Sequence, residues 1–359
     1  MKEKFTNLIG KIKKIDINKN RALFWIPPLI VILVMLICGT CYSLNKTKYQ
    51  YFANIGIDFQ GGSILTIEFK DPQANLGAKY DENVNKIYNV LEKHGIPTNK
   101  ARNQSSGDST IIIQYPNWVS GTGSATSDAK AMDETNTQIK EELYAMANAG
   151  TFDEIADNGV TFSVIGSESS KNLLKTAAIS VAIALVLMLL YIVIRFDFYS
   201  GLAAVLIQLH DLIIMFALSV IFYIEIGDSI VAGLITIVGY SINNTIVVFD
   251  RIRSVIKPLK KQGKKYDEGL VINNAIFSTM RRTLFTTFTT LIVMIVLVAM
   301  GVASIVTFGL PIIFGLIAGF YSSVFLAAPL WGALKDLGDK IKLSTKNKKF
   351  AKQHKRARA

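Results

Sequence analysis

The chain is poor in the residues on which metalloproteins and many enzymes depend. Of 359 residues, two are cysteine and three are histidine. The histidines are scattered, and no spacing of His, Cys, Asp and Glu makes a metal set. That argues against a metal site and against histidine-based catalysis. No Walker loop is present, so no nucleotide motor is encoded, and neither a nucleophile elbow nor an HExxH helix occurs. The expectation is a protein that is not an enzyme and binds no cofactor. The two cysteines, Cys38 and Cys41, sit three apart on an apolar helix. They read as buried thiols; a redox pair or a disulfide is the weaker alternative, and no lipid-attachment motif surrounds them.

Charge is absent in particular places. Half of the residues are hydrophobic, and the mean hydropathy is +0.35. Apolar runs of the roughly 20 residues that cross a bilayer fall at about 22–44, 172–194, 201–223, 229–249, 283–303 and 308–331. The first has a basic flank like a signal peptide, but its core is too long and no cleavage site follows, so it reads as a retained anchor. The gaps between spans three and four and between spans five and six hold no Lys or Arg. Seven basic residues precede the first span, nine lie in 250–282 and ten in 335–358. The positive-inside rule then puts both termini and the 250–282 loop in the cytoplasm. The net charge of +12 is mainly this topology signal. The basic tail reads as a solvated inside flank that touches anionic lipid. A ribosome or nucleic-acid docking site is the sharper alternative, and no nucleic-acid partner is expected.

The resulting organisation is a basic N-terminal segment (1–21), a first span (22–44), an external domain (45–170), a five-helix bundle (171–331) and a basic tail (332–359). The external segment carries ten Lys/Arg against sixteen Asp/Glu and is long enough for its own core. Strands are predicted over 64–69, 110–115 and 160–165, and helices over 82–94 and 135–148, with a Gly/Ser-rich loop at 120–127. That alternation suggests a small α+β layer, ferredoxin-like, with one or more strands not visible in the pattern. His94 follows a helix C-terminus, where it would favour the dipole. Gly56-Ile-Asp-Phe-Gln-Gly-Gly62 joins span and domain. Gly56, Gly61 and Gly62 permit a tight turn and Asp58 a cap, so locally it reads as a structural corner.

Inside the spans the polar residues stand out, because hydrocarbon offers them no water. The third span carries His210-Asp211 near its middle. Asp211 is either a buried hydrogen-bonding group or a titrating site. The fourth span is predicted to place Gly233, Thr236, Tyr240, Asn243, Asn244 and Val247 on one face. The fifth opens with Arg281-Arg282 and a hydroxyl stripe through Thr283, Thr286/Thr287 and Thr290. Arg282 is either an inside anchor or turns inward to meet a carboxylate. Gly239, Gly315, Gly319, Ser322 and Ser323 read as helix-packing positions, Gly315 and Gly319 as a small-xxx-small face.

In this order and on these spans, several motifs together resemble the SecF family, the smaller half of the SecD/SecF export factor in the RND superfamily. They are the Gly56–Gly62 motif, Arg195-Phe196, His210-Asp211, Gly239-Tyr-Ser-Ile-Asn-x-Thr245, Phe249-Asp-Arg-Ile-Arg253, Arg282-Thr283 and Phe314-Gly-Leu-Ile-Ala-Gly-Phe-Tyr-Ser-Ser323. The resemblance covers nearly the whole chain. It implies a place in the bacterial cytoplasmic membrane, a SecD-like partner, the SecYEG channel, a YidC-type insertase and preprotein substrates, with a proton or sodium gradient as energy source. It also exposes a departure. The family usually reads Asn-Asp-Thr in the fourth span, and this chain reads Asn243-Asn244-Thr245. An amide cannot titrate, and Arg282, by resemblance the partner of such an acid, would lack one within the chain. Either the SecD-like partner supplies the acid, which is favoured, or Asp211 does more of the work, or the ion or the need for coupling differs. The rival readings are a half-transporter for lipid or small molecules and a scaffold that couples to no ion.

Overall fold

A lipid-buried backbone must satisfy its own N–H and C=O groups, so long apolar runs become helices. A computed structural model describes residues 16–45, 52–71, 77–96, 98, 101–116, 125–165 and 167–356. The start of the basic N-terminal segment and most of the 120–127 loop lie outside these residues. Among the described residues six helices are long and apolar enough to cross a membrane. They are α1 (Ile26–Leu44), α5 (Ser167–Arg195), α6 (Phe198–Ile221), α7 (Asp228–Lys261), α8 (Glu268–Ala299) and α9 (Ala303–Phe325). A further helix, α10 (Ala327–Arg356), follows directly. The sixth span was expected to continue to residue 331; it ends at Phe325 instead. Pro329 stands in the first turn of α10, where its missing N–H is tolerated but would break a continuous ladder.

Between α1 and α5 lies the α+β domain. Its elements are α2 (Ile57–Gln60), β1 (Gly62–Phe69), α3 (Gly77–Lys93), β2 (Arg102–Ser106), β3 (Thr110–Pro116), α4 (Ala125–Asn148) and β4 (Ile155–Ile165). The antiparallel strands run in the order β2-β3-β1-β4, which is the ferredoxin-like arrangement. The apolar side chains alternate on β1, where Leu65, Ile67 and Phe69 point inward. On α3, Val84, Ile87, Val90 and Leu91 recur at helical spacing and meet them. Ile139 and Leu143 of α4 complete the core. His94 does more than face a helix end: its Nε2 lies 2.8 Å from Glu142 of α4. Lys93, then His94, hold the Glu142 carboxyl below its usual range.

In the bundle, α9 packs against α6, α7 and α8. The contact with α7 runs along Gly315 and Gly319, where a Cβ at Gly319 would fall 2.9 Å from the Ser241 hydroxyl. Cys38 is half-buried and Cys41 exposed, which corrects the expectation of buried thiols. The first span meets the bundle along a narrow stripe and turns most of its side chains outward.

Candidate functional site

Asp211 is a carboxyl buried in the bundle and is 0 % exposed. It sits mid-helix on α6 and is fully paired. The His210 Nδ1 lies 2.9 Å from Oδ1, and the Ser241 hydroxyl of α7 donates to Oδ2. Ser241 is held in place by Gly319, whose lack of a side chain lets α9 approach. The His210 ring meets the Trp25 indole edge-on. Its Nε2 is buried and has no partner among the described residues. Below it, the Thr245 and Ser323 hydroxyls are 3.1 Å apart, and Ser322 donates to the Gly319 carbonyl at 3.3 Å.

The fourth-span residues do not share one face. The buried stripe of α7 is Gly233, Ile237, Ser241, Asn244, Thr245 and Val248. Asn244 is buried, with its amide nitrogen unpartnered among the described residues. Thr236, Gly239 and Asn243 form a separate, exposed stripe. A Cβ at Gly239 would meet nothing within 4 Å, so within this chain it is not the packing position that was expected. Adjacent residues on a helix lie about 100° apart, enough to send Asn243 outward and Asn244 inward.

Asn243 instead lines an open cavity of about 650 Å³ with Tyr191, Asp250, Thr279 and Arg282. Arg282 is exposed in that cavity and has no ion pair among the described residues. The hydroxyl stripe of α8 also divides. Thr283 and Thr287 are buried, as is Thr279, which lies one turn before the predicted span. Thr286 and Thr290 return their hydroxyls to backbone carbonyls of their own helix. Ser241 and Thr279 are the positions that sequence reasoning missed. Each continues a buried helical stripe, and that spacing was the available signal.

The Gly56–Gly62 motif is more than a local corner. Residues 54–56 pair with the α6–α7 loop: Gly56 N donates to Ile226 O at 3.0 Å and Ile226 N to Asn54 O at 2.7 Å. Asp58 accepts from the Asp228 backbone N–H at 3.1 Å, capping α7 from 170 residues away in sequence. Gly61 adopts φ 79° to end α2, and Gly62 lies so close to the Tyr115 carbonyl that a Cβ would fall 2.5 Å from it. Arg102 donates to the Ile55 carbonyl at 3.1 Å.

This seam is acidic. Burial first, then the Asp228 carboxylate, raises Asp58 above its usual range, against the Asp228 N–H bond. Burial also raises Glu225, opposed by Arg102 and reinforced by Asp58. Raised carboxyls bind protons more tightly in the joined state than in the open one. The seam is therefore firmest below the ordinary carboxylate range and weakens as pH rises through the raised values. Amide exchange of the 54–56 and 224–228 peptides, corrected for intrinsic rate, should quicken severalfold from pH 4 to pH 8. Glu225→Gln should flatten much of that rise; an unchanged profile would remove Glu225 from it.

The chain as a whole is similar to known proteins. The SecD/SecF C-terminal family of protein-export membrane proteins matches residues 147–337, and the SecD/SecF GG motif matches residues 54–73. The protein translocase subunit SecF of Vibrio alginolyticus is 28% identical over 85% of this chain and 87% of its own. That of Sebaldella termitidis is 30% identical over 77% of this chain and 80% of its own. The crystal structure of SecDF, a translocon-associated membrane protein from Thermus thermophilus, superimposes with a TM-score of 0.65 at 25% identity, covering 89% of this chain. The chain spans 38% of that SecDF chain. Its six spans, its ferredoxin-like domain and these matches agree: the chain belongs to the SecD/SecF family of multi-pass protein-export membrane proteins, as a SecF-type translocase subunit.

Proposed function

We propose that this subunit works with a SecD-like partner to draw preproteins across the cytoplasmic membrane late in export, driven by an ion gradient and without enzymatic chemistry. The observation that carries this reading is the Asp211–His210–Ser241 cluster, a carboxyl paired with a titratable ring in the middle of a bundle. Ion uptake there would change the charge between α6 and α7, and α7 is the helix that Asp58 caps. Cluster and α+β domain are thus joined through one rigid element, which is what a transmitted motion requires.

The exposed stripe Thr236, Gly239 and Asn243, beside Arg282 with no ion pair among the described residues, is where a SecD-like helix would pack and bring the acid that Asn244 does not supply. Basic ends of the spans would face the cytoplasm, as would both termini, with the α+β domain outside to contact the emerging chain. SecYEG and a YidC-type insertase are the companions expected for such an assembly. Asn244 favours one other reading, a scaffold that couples to no ion. Reconstitution with a SecD-like protein and SecYEG in vesicles tests both. Preprotein export should accelerate when a proton or a sodium gradient is imposed and return to baseline when it is collapsed. Export indifferent to both gradients would leave the scaffold. Lipid or small-molecule flux without a secretory substrate would instead support a half-transporter.

A further inference from the structure

We propose that the basic end of the bundle carries a binding site for one anionic phospholipid, its phosphate in a cationic cavity and an acyl chain in an adjoining groove. The cavity measures about 640 Å³ and lies where α5 gives way to α6, beside the last turns of α7 and the start of α10. Arg253, Lys257, Lys260, Lys261 and Lys335 line it, against the carboxylates of Asp197 and Asp339. Asp197 accepts from the Ser200 N–H at 3.2 Å as the cap of α6 and keeps its negative charge. Lys335 is paired with Glu268. Arg253 donates to the Arg195 carbonyl, which leaves its charge uncompensated. Lys257, Lys260 and Lys261 are exposed and make no ion pair among the described residues. Four cations without an ion pair among the described residues therefore face two carboxylates, which leaves an excess of positive charge.

Two further observations give the ligand its form. Trp331 also lines the cavity. It is 6 % exposed, and its indole N–H is buried without a partner among the described residues. A buried donor left unpaired costs free energy, and a phosphate oxygen would satisfy it. Tyr199 lines both the cavity and a second, apolar groove of about 300 Å³ walled by Leu202, Leu334, Leu337 and Ile341. Leu337 and Ile341 are 56 % and 58 % exposed. A free phosphate would leave that groove unfilled, whereas a phospholipid occupies both halves. Basic recesses at the ends of membrane helices are suited to anionic headgroups. The level is also right, because the cavity begins where the spans end.

The test is native mass spectrometry of the full chain released from mixed micelles holding equal dioleoyl phosphatidylglycerol and dioleoyl phosphatidylcholine. One phosphatidylglycerol should be retained in preference. The triple variant Lys257→Gln, Lys260→Gln, Lys261→Gln should reduce that retention at least about tenfold. Trp331→Phe keeps the ring and removes only the donor, and should reduce it severalfold. Matched melting temperatures establish that both variants are folded. Equal retention of the two lipids, or an unchanged preference in the folded variants, would overturn the proposal. Displacement of the lipid by millimolar inorganic phosphate would also overturn it, because the site would then read phosphate alone.

Discussion

Asp211→Asn should reduce gradient-stimulated export to the rate seen without a gradient, while leaving that basal rate unchanged. The substitution keeps the shape of the side chain and an oxygen that accepts from Ser241, so α6 and α7 stay packed. What it removes is the ability to exchange a proton, since an amide does not titrate. With the carboxylate gone, the buried His210 ring also loses the charged partner of its Nδ1. The ring and the carboxyl share one close contact, so His210→Gln should resemble Asp211→Asn and the double variant should be no worse than either. Asp211→Ala differs in kind. It strands the Ser241 hydroxyl and the His210 ring, at roughly 1–3 kcal/mol for each buried group left unpaired, and should lower thermal stability as well. The comparison is made by initial rates of preprotein entry into vesicles, with the gradient imposed and collapsed. Full stimulation in Asp211→Asn would return the cluster to a packing role.

Gly315→Val should destabilise the bundle more than any surface change. A Cβ at Gly315 would fall 2.5 Å from Ile237 Cγ1 and 2.8 Å from its Cδ1, and Ile237 is fully buried. Overpacking of this sort costs about 1–3 kcal/mol or more, and here it would also lever α9 away from α7. Four residues further on, the same displacement would draw Gly319 from Ser241 and loosen the bond to Asp211. A clash has a specific remedy: Ile237→Ala vacates the space the new methyls need. The double variant should therefore be more stable than the sum of the single losses allows, a coupling read from melting curves in detergent. Strict additivity would mean the two helices do not meet through these side chains.

Much of the architecture was legible in the residues because one constraint dominates it. In hydrocarbon a chain satisfies its backbone only within a helix, so length and hydropathy sufficed to locate six spans. Their ends were less visible. The fifth span was expected from residue 283, yet α8 begins at Glu268 with Asp267 capping it at 2.8 Å. The extra turns are polar, and an apolar window passes over them. In the α+β domain β2 escaped notice for a related reason. Arg102-Asn-Gln-Ser-Ser106 has no apolar alternation, because it is an edge strand held by backbone pairing to β3. Helix α4 starts at Ala125, ten residues before the predicted start at 135, over a stretch too polar to show a period.

The polar residues were legible one by one and not as partners. The sequence alone determined how many helices cross, where the α+β domain is inserted and which polar groups lie within the spans. Each of these depends on local composition and on the bilayer acting as solvent. Only the tertiary structure decided that Asp211 meets Ser241, that Asn243 and Asn244 part company, and that Asp58 caps a helix 170 residues away. Those outcomes depend on how each helix is rotated against its neighbours. That rotation is set by small residues such as Gly315 and Gly319 acting together with the side chains opposite them, a property of pairs of helices that no single stretch of sequence contains.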